Sequence, residues 1–206
     1  MEQNKLLQDL TGIQTIESVM DILNVNKKMA IYYLHRLRKE GYVKTRRQSN
    51  NRRVYTISIE NKLGGKSYYD LINQYSPVKI STPVTHRIYG KEPSREETLV
   101  YAIKTKSLRT ILASLALFKK INNWAELYRL AKENHLERQV GALYDLARKI
   151  IKVRRMSKRF KRSAQPKGED TFAEIIPGLK SKDFRKIENH WRVYLPFNQG
   201  DLEEYR

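Results

Sequence analysis

The chain has 206 residues, 40% of them hydrophobic, which is enough to build cores and excludes a wholly disordered polymer. Lys and Arg number 41 against 22 Asp and Glu, and the resulting formal charge of +19 attracts polyanions, nucleic acid first and anionic lipid second. Cysteine is absent, no apolar run approaches the roughly 18 residues of a membrane helix, and MEQNKLLQDL lacks a signal-peptide core, so disulfides are excluded and a cytoplasmic protein is expected.

From Lys5 to Leu10 a short amphipathic segment stops at Thr11-Gly12. Thr15 then opens TIESVMDIL, where Ile16, Val19, Met20 and Leu23 recur at helical spacing. Asn24-Val25-Asn26 reads as a tight turn, and Asn26 can cap the next helix through its side-chain oxygen. That helix runs from Lys27 to Glu40 with Ala30, Tyr33, Leu34 and Leu37 on its inner face, and Gly41 supplies a left-handed stop. Two helices so closely joined have the spacing of a helix-turn-helix. Tyr42 to Arg47 then reads as a strand, QSNN as a turn and Arg52 to Ile59 as the returning strand. In the latter, Tyr55, Ile57 and Ile59 alternate with polar neighbours.

The stretch from Val25 to Ile59, through LHRLRKEGYVKTRR and RRVYTIS, resembles winged helix-turn-helix regulators of the MarR, ArsR and PadR kind. The resemblance implies a helix from Lys27 to Glu40 in the DNA major groove and a wing that reaches an adjacent minor groove or the backbone. The helical period agrees: it leaves Lys27, Lys28, Ile31, Tyr32, His35 and Arg36 facing outward. The cations among them suit phosphates, and Arg36 suits a guanine edge. Ile31 and Tyr32 stand where related regulators often carry Ser and Arg, so base readout is expected to lean on apolar or phenolic contact. At the hairpin tip Arg46, Arg47, Arg52 and Arg53 suit a narrow groove of high negative potential. The plainer reading is that they only discourage edge pairing.

LGGKS, from Leu63, is not a phosphate loop, because Glu60 occupies the place of the first glycine. A short helix is expected over 66–75, and 76–93, with Pro77, Pro83 and Pro93, reads as a linker or irregular strand with His86 at its surface. Ser94 and Glu97 have capping-box spacing. Beyond them Leu99, Ile103, Ile111, Leu112, Leu115 and Phe118 form long apolar faces. Asn122-Asn123 interrupts, Trp124, Leu127, Tyr128 and Ala131 resume, and a last helix is expected from Leu136 to Lys152. The segment NWAELYRLAKENHLERQVGALYDLA is similar to the helical C-terminal part of AbiEi-type antitoxins, which join a winged helix to such a domain.

Between Arg148 and Lys167 there are ten Lys or Arg residues and no acid. Continued as a helix, Arg148, Lys152, Arg155, Arg159 and Arg162 share one face, a second nucleic-acid surface, with Ile151, Met156 and Phe160 interspersed. The alternative is a solvated helix face running into a flexible linker. In the tail, Trp191, Val193 and Leu195 alternate like a strand, and aromatics this dense call for burial on the helical domain.

The expected architecture is mainly α with a small β-hairpin wing. It divides into a winged helix-turn-helix over 1–62, a linker over 63–93 and a helical domain over 94–152. A basic linker or helix extension follows over 153–170, then a packed tail over 171–206. His35, His86, His135 and His190 are scattered without metal-ligand spacing, and no nucleophile motif stands out. No metal, cofactor, membrane partner or enzymatic activity is therefore expected. The function expected is sequence-specific binding of double-stranded DNA, as a homodimeric transcriptional regulator. The alternative is an RNA-associated or architectural protein with little sequence preference.

Overall fold

The computed structural model describes residues 3–59, 65–83, 87–89, 92–167 and 171–205. It is mainly helical, with a small three-stranded antiparallel sheet near the N-terminus. The chain divides into two compact units: unit 1 comprises 1–67 and 84–92, and unit 2 comprises 68–83 and 93–206. His86 lies outside the described residues.

In unit 1, α1 (Gln3–Leu10) buries Leu6, Leu7 and Leu10 on one face. Gly12, at φ +115°, turns the chain into β1 (Gly12–Gln14), a strand that the sequence pattern does not predict. Next, α2 (Ile16–Leu23) starts at a reciprocal cap: Ser18 N–H donates to the Thr15 hydroxyl, and Thr15 N–H donates to the Ser18 hydroxyl at 2.9 Å. Asn24, left-handed at φ 49°, ends it. The predicted Asn26 cap is present, for its Oδ1 accepts from Met29 N–H at 3.0 Å and opens α3 (Lys27–Lys39). Ala30, Leu34 and Leu37 are buried as expected, and Tyr33 packs partly buried against the same core.

Gly41 sits at φ +92°, and a Cβ there would lie 2.5 Å from the Tyr89 ring, so both conformation and space demand glycine. The hairpin follows as β2 (Val43–Arg47) and β3 (Arg53–Ile57), in register from Val43 opposite Ile57 to Arg47 opposite Arg53. On its other edge β3 pairs with β1, from Gly12 opposite Ile57 to Gln14 opposite Tyr55. Tyr55 and Ile57 are buried. Ile59, expected inward, is exposed because the ladder has ended at Ile57.

Within the expected 63–93 linker, residues 65–67 and 87–89 pair. Ile88 N–H donates to the Lys66 carbonyl at 2.9 Å, and the Tyr89 ring covers Gly41 and Gly65, all within unit 1. In unit 2, α4 (Tyr68–Tyr75) buries Ile72, and Asn73 clamps the returning chain by exchanging hydrogen bonds with both backbone groups of Ile80. The turn-rich stretch 76–93 reads as a linker or irregular strand, but Val78 is fully buried, which only a packed segment achieves.

The predicted box caps α5 (Arg95–Lys104): Ser94 accepts from Glu97 N–H, and Glu97 accepts from Ser94 N–H. After α6 (Leu108–Ser114) and a 3₁₀ turn over Leu115–Lys119, Asn123 caps α7 (Trp124–Glu133) and α8 (Glu137–Ile150) follows. The turn before α7 is held by buried Glu96, whose Oε1 accepts from Asn123 N–H at 3.1 Å. Trp124 gathers Phe118, Tyr144 and Phe160 into one aromatic cluster, with ring centroids 6.5, 5.3 and 5.5 Å away. The basic run then yields α9 (Lys158–Ala164).

The tail is anchored as its aromatics require, with Trp191 and Phe197 fully buried, but its local structure differs from the expected strand. Trp191 ends α10 (Arg185–Trp191), Arg192 turns left-handed at φ 50°, and only Val193–Tyr194 is extended, as β5 parallel to β4 (Ala173–Glu174). Buried Glu188 accepts from Leu195 N–H at 2.8 Å, while the Leu195 carbonyl accepts from Ser181 N–H, so the chain past β5 is held by a side chain and a loop.

Candidate nucleic-acid interface

In unit 1, Lys27, Lys28, Ile31, Tyr32 and His35 are exposed on α3 as the sequence predicts, and Arg36 is partly exposed. Ile31 and Tyr32 retain 46% and 54% exposure and Met29 retains 37%, so three apolar side chains of α3 reach solvent.

The hairpin divides its arginines. Side chains alternate along a strand, so Arg47 and Arg53 share the face of Thr45 and Tyr55, while Arg46 falls on the opposite face with Lys44. Arg47 and Arg53 are also directly opposed across the ladder, an arrangement that like charges destabilise and a bound anion relieves. Arg53 and Tyr55 line a small cleft of about 110 Å³ with Ile31, Leu34, His35 and Arg38 of α3. The outer helix and the hairpin therefore present one surface, to which Arg38 is an addition missed from the sequence.

Arg52 belongs to the turn. Its N–H donates to Asn50 Oδ1 at 3.1 Å, Gln48 N–H closes the loop on the Arg52 carbonyl at 2.9 Å, and Asn51 takes φ 62°. With Asn51 and Arg53 it lines a depression of about 350 Å³ that also includes Thr15, Ile16 and Glu17 at the start of α2. The Glu17 carboxyl is held below the usual carboxylate range, chiefly by its own backbone N–H and by Thr15. The positive charges of Arg52 and Lys27 lower it further. At neutral pH this carboxylate therefore offsets the charge of two cations of this face. Glu17→Gln is expected to tighten duplex DNA binding by roughly two- to five-fold at low salt, the scale of one exposed ion pair. A titration against labelled duplex checks this, and unchanged or weaker binding would count against the surface.

In unit 2 the predicted basic stripe is not formed. α8 stops at Ile150, Ile151 turns extended at φ −139° and ψ 151°, and residues 151–157 run as a strap before α9. The strap is fastened. The Tyr144 hydroxyl accepts from Met156 N–H at 2.8 Å and donates to the Arg154 carbonyl at 3.0 Å, while the Arg154 guanidinium donates to the Asn122 side chain. Met156 and Phe160 are buried, and Ser157 caps α9 through Phe160 N–H. A continuous helix would turn these anchors away from the core. The interspersed apolar residues Ile151, Val153 and Met156, followed by the cap-type Ser157, were the signal for this break.

The break redistributes the cations. Arg148 and Arg155 line one depression of about 410 Å³, together with Lys158 and Lys161, which the stripe did not include. Lys152, Arg159 and Arg162 are exposed but do not line it.

Unit 2 spends its helical apolar faces internally. Among the described residues Leu179 is its one exposed large apolar side chain. Among the described residues no three of His, Asp and Glu converge as a metal site would require, and no helix is long and apolar enough to cross a membrane. Comparison with protein-family models, with curated proteins and with solved structures finds no match to this chain.

Proposed function

We propose that unit 1 is a winged helix-turn-helix that binds double-stranded DNA with sequence preference, as a transcriptional regulator. In this reading α3 enters the major groove and the β2–β3 wing grips the flanking backbone or minor groove. The observation that carries it is the shared cleft between α3 and the wing, which aligns Ile31, His35 and Arg38 with Arg53 on one exposed face. Phosphate contacts fall to Lys27, Lys28, Arg46, Arg47, Arg52 and Arg53, and base contacts to Ile31, Tyr32 and Arg36. Ile31 suits a thymine methyl and Arg36 a guanine edge. Binding as two copies is part of the proposal, because helix-turn-helix proteins read half-sites one helical turn apart through two-fold dimers.

Selection from random-sequence duplex DNA at two salt concentrations, with duplex RNA as competitor, tests the reading. An enriched motif that survives the higher salt supports it, and a palindrome supports the dimer. Binding without enrichment, lost steeply with salt, would instead favour an architectural or RNA-associated role. Within the selected motif, Arg36→Ala is expected to relax preference at one position, at a cost of about 1–3 kcal/mol on the preferred base. If the preference at every position survives this substitution, Arg36 makes no base contact.

A further inference from the structure

We propose that unit 2 carries a second, independent nucleic-acid site, in which Arg148, Arg155, Lys158 and Lys161 hold the phosphodiester backbone. Four cations from three successive segments surround one depression: Arg148 from the end of α8, Arg155 from the strap, and Lys158 and Lys161 from α9. Among the described residues Arg155, Lys158 and Lys161 have no ion-pair partner. The single carboxylate lining the depression, Asp145, is already engaged. Its Oδ2 accepts from Trp191 Nε1 at 2.7 Å, and its Oδ1 lies 4.0 Å from Arg148. Like charges converging without counter-charge raise the energy of the folded state, and an arriving anion removes that cost. The frame beneath them is fixed, because the strap is tied to Tyr144 and pinned by buried Met156 and Phe160.

The shape selects a polymer. A second depression of about 450 Å³, lined by Lys149, Lys186, Ile187 and His190, adjoins the first and shares Asp145 and Arg148 with it. Two contiguous basic depressions match a ligand with a charge roughly every 3.4 Å along each strand, not a single phosphate group. A pocket for a small phosphorylated molecule would offer fixed polar groups and an apolar wall. Here the donors are long, exposed cations, and Trp191 and Tyr144, 0% and 4% exposed, present no free ring face. Backbone recognition without base readout is what such a surface can deliver.

The test uses the full chain carrying Arg155→Gln, Lys158→Gln and Lys161→Gln, all exposed positions. Affinity for a long random-sequence DNA duplex is measured over a salt series, with thermal melting alongside. The expected result is unchanged melting and a slope of log affinity against log salt reduced by roughly two to three units. Selected and random DNA should weaken alike, as should duplex RNA. Should the triple variant melt early, Arg155→Gln and Lys158→Gln singly should each lower the slope by roughly one unit. A folded variant with the wild-type slope overturns the proposal. Saturable calorimetric binding of a nucleoside monophosphate to wild type, lost in the variant, overturns it too and assigns the pocket to a small ligand. Neither result depends on unit 1, whose failure would appear as absence of an enriched motif with this slope loss intact.

Discussion

Replacing Arg46, Arg47, Arg52 and Arg53 together with Gln is expected to weaken duplex DNA binding by ~10²- to 10³-fold near 0.1 M salt, and to lower the salt slope by about three to four units. Each guanidinium that neutralises a phosphate releases close to one counterion, so the loss scales with the number of contacts and shrinks as salt rises. The substitutions leave the fold in place. All four side chains are exposed, and the hairpin is held by its ladder and by Tyr55 and Ile57 in the core, not by the arginines. Removing the Arg47–Arg53 opposition should even raise the melting temperature slightly, since like charges facing each other across a ladder cost a few tenths of a kcal/mol or more. Weaker binding together with equal or higher stability is a combination that a purely structural role cannot produce. A variant that binds as wild type would reduce the wing to scaffold and leave α3 alone on the DNA.

The second large effect concerns unit 2. Trp191→Ala is expected to destabilise it by about 3–5 kcal/mol, a substantial share of the stability of an ordinary domain. Trp191 is fully buried at the end of α10, and its ring lies so close to α8 that a Cβ on Gly141 would meet Cζ3 at 2.4 Å. That distance decides the sign of Gly141→Ala. Alanine gains about 1 kcal/mol of helix propensity over glycine, but displacing an indole locked in the core costs about 1–3 kcal/mol. Net destabilisation is expected. In the double variant the clash vanishes with the ring, so Gly141→Ala should add nothing to the cost of Trp191→Ala and should offset part of it. Denaturant unfolding followed by helical circular dichroism reads all three variants. A loss under about 1 kcal/mol for Trp191→Ala would show that the ring's site collapses freely.

Helices with a polar cap and a regular apolar stripe were legible in the sequence. Asn26 and Ser94 each start a helix where their side-chain oxygens predict, and Ala30, Leu34 and Leu37 face the core. Features that depend on distant partners were not. β1 is three residues long and exists because β3 has a free edge, which nothing within GIQ announces. The basic run reads as one helix because cations tolerate any exposed conformation. Its path is set by Tyr144 on the previous helix and by Phe160 in the aromatic cluster. For the same reason the outward residues of α3 were identified from period alone, whereas Arg38, Lys158 and Lys161 required the fold. Trp191 looks like a strand residue beside Val193 and Leu195, yet a left-handed Arg192 and the Glu188 side chain end the helix just there.

The segment carrying Ile88 and Tyr89 belongs to unit 1, although residues 68–83 before it belong to unit 2. The backbone therefore passes from one unit to the other three times, and the two are interleaved like a parenthesis opened inside another sentence. A cut after residue 62, where sequence alone would divide the protein, deprives Gly41 of the ring that covers it. A cut after 92 keeps that ring but drags Ile72 and Val78 out of the core in which they are buried. On the ribosome, the core of unit 1 is complete once Ile57 has emerged, but Tyr89 arrives to cover Gly41 only after the first helix of unit 2. A single break in the chain therefore cannot part the two units without taking residues from one of them.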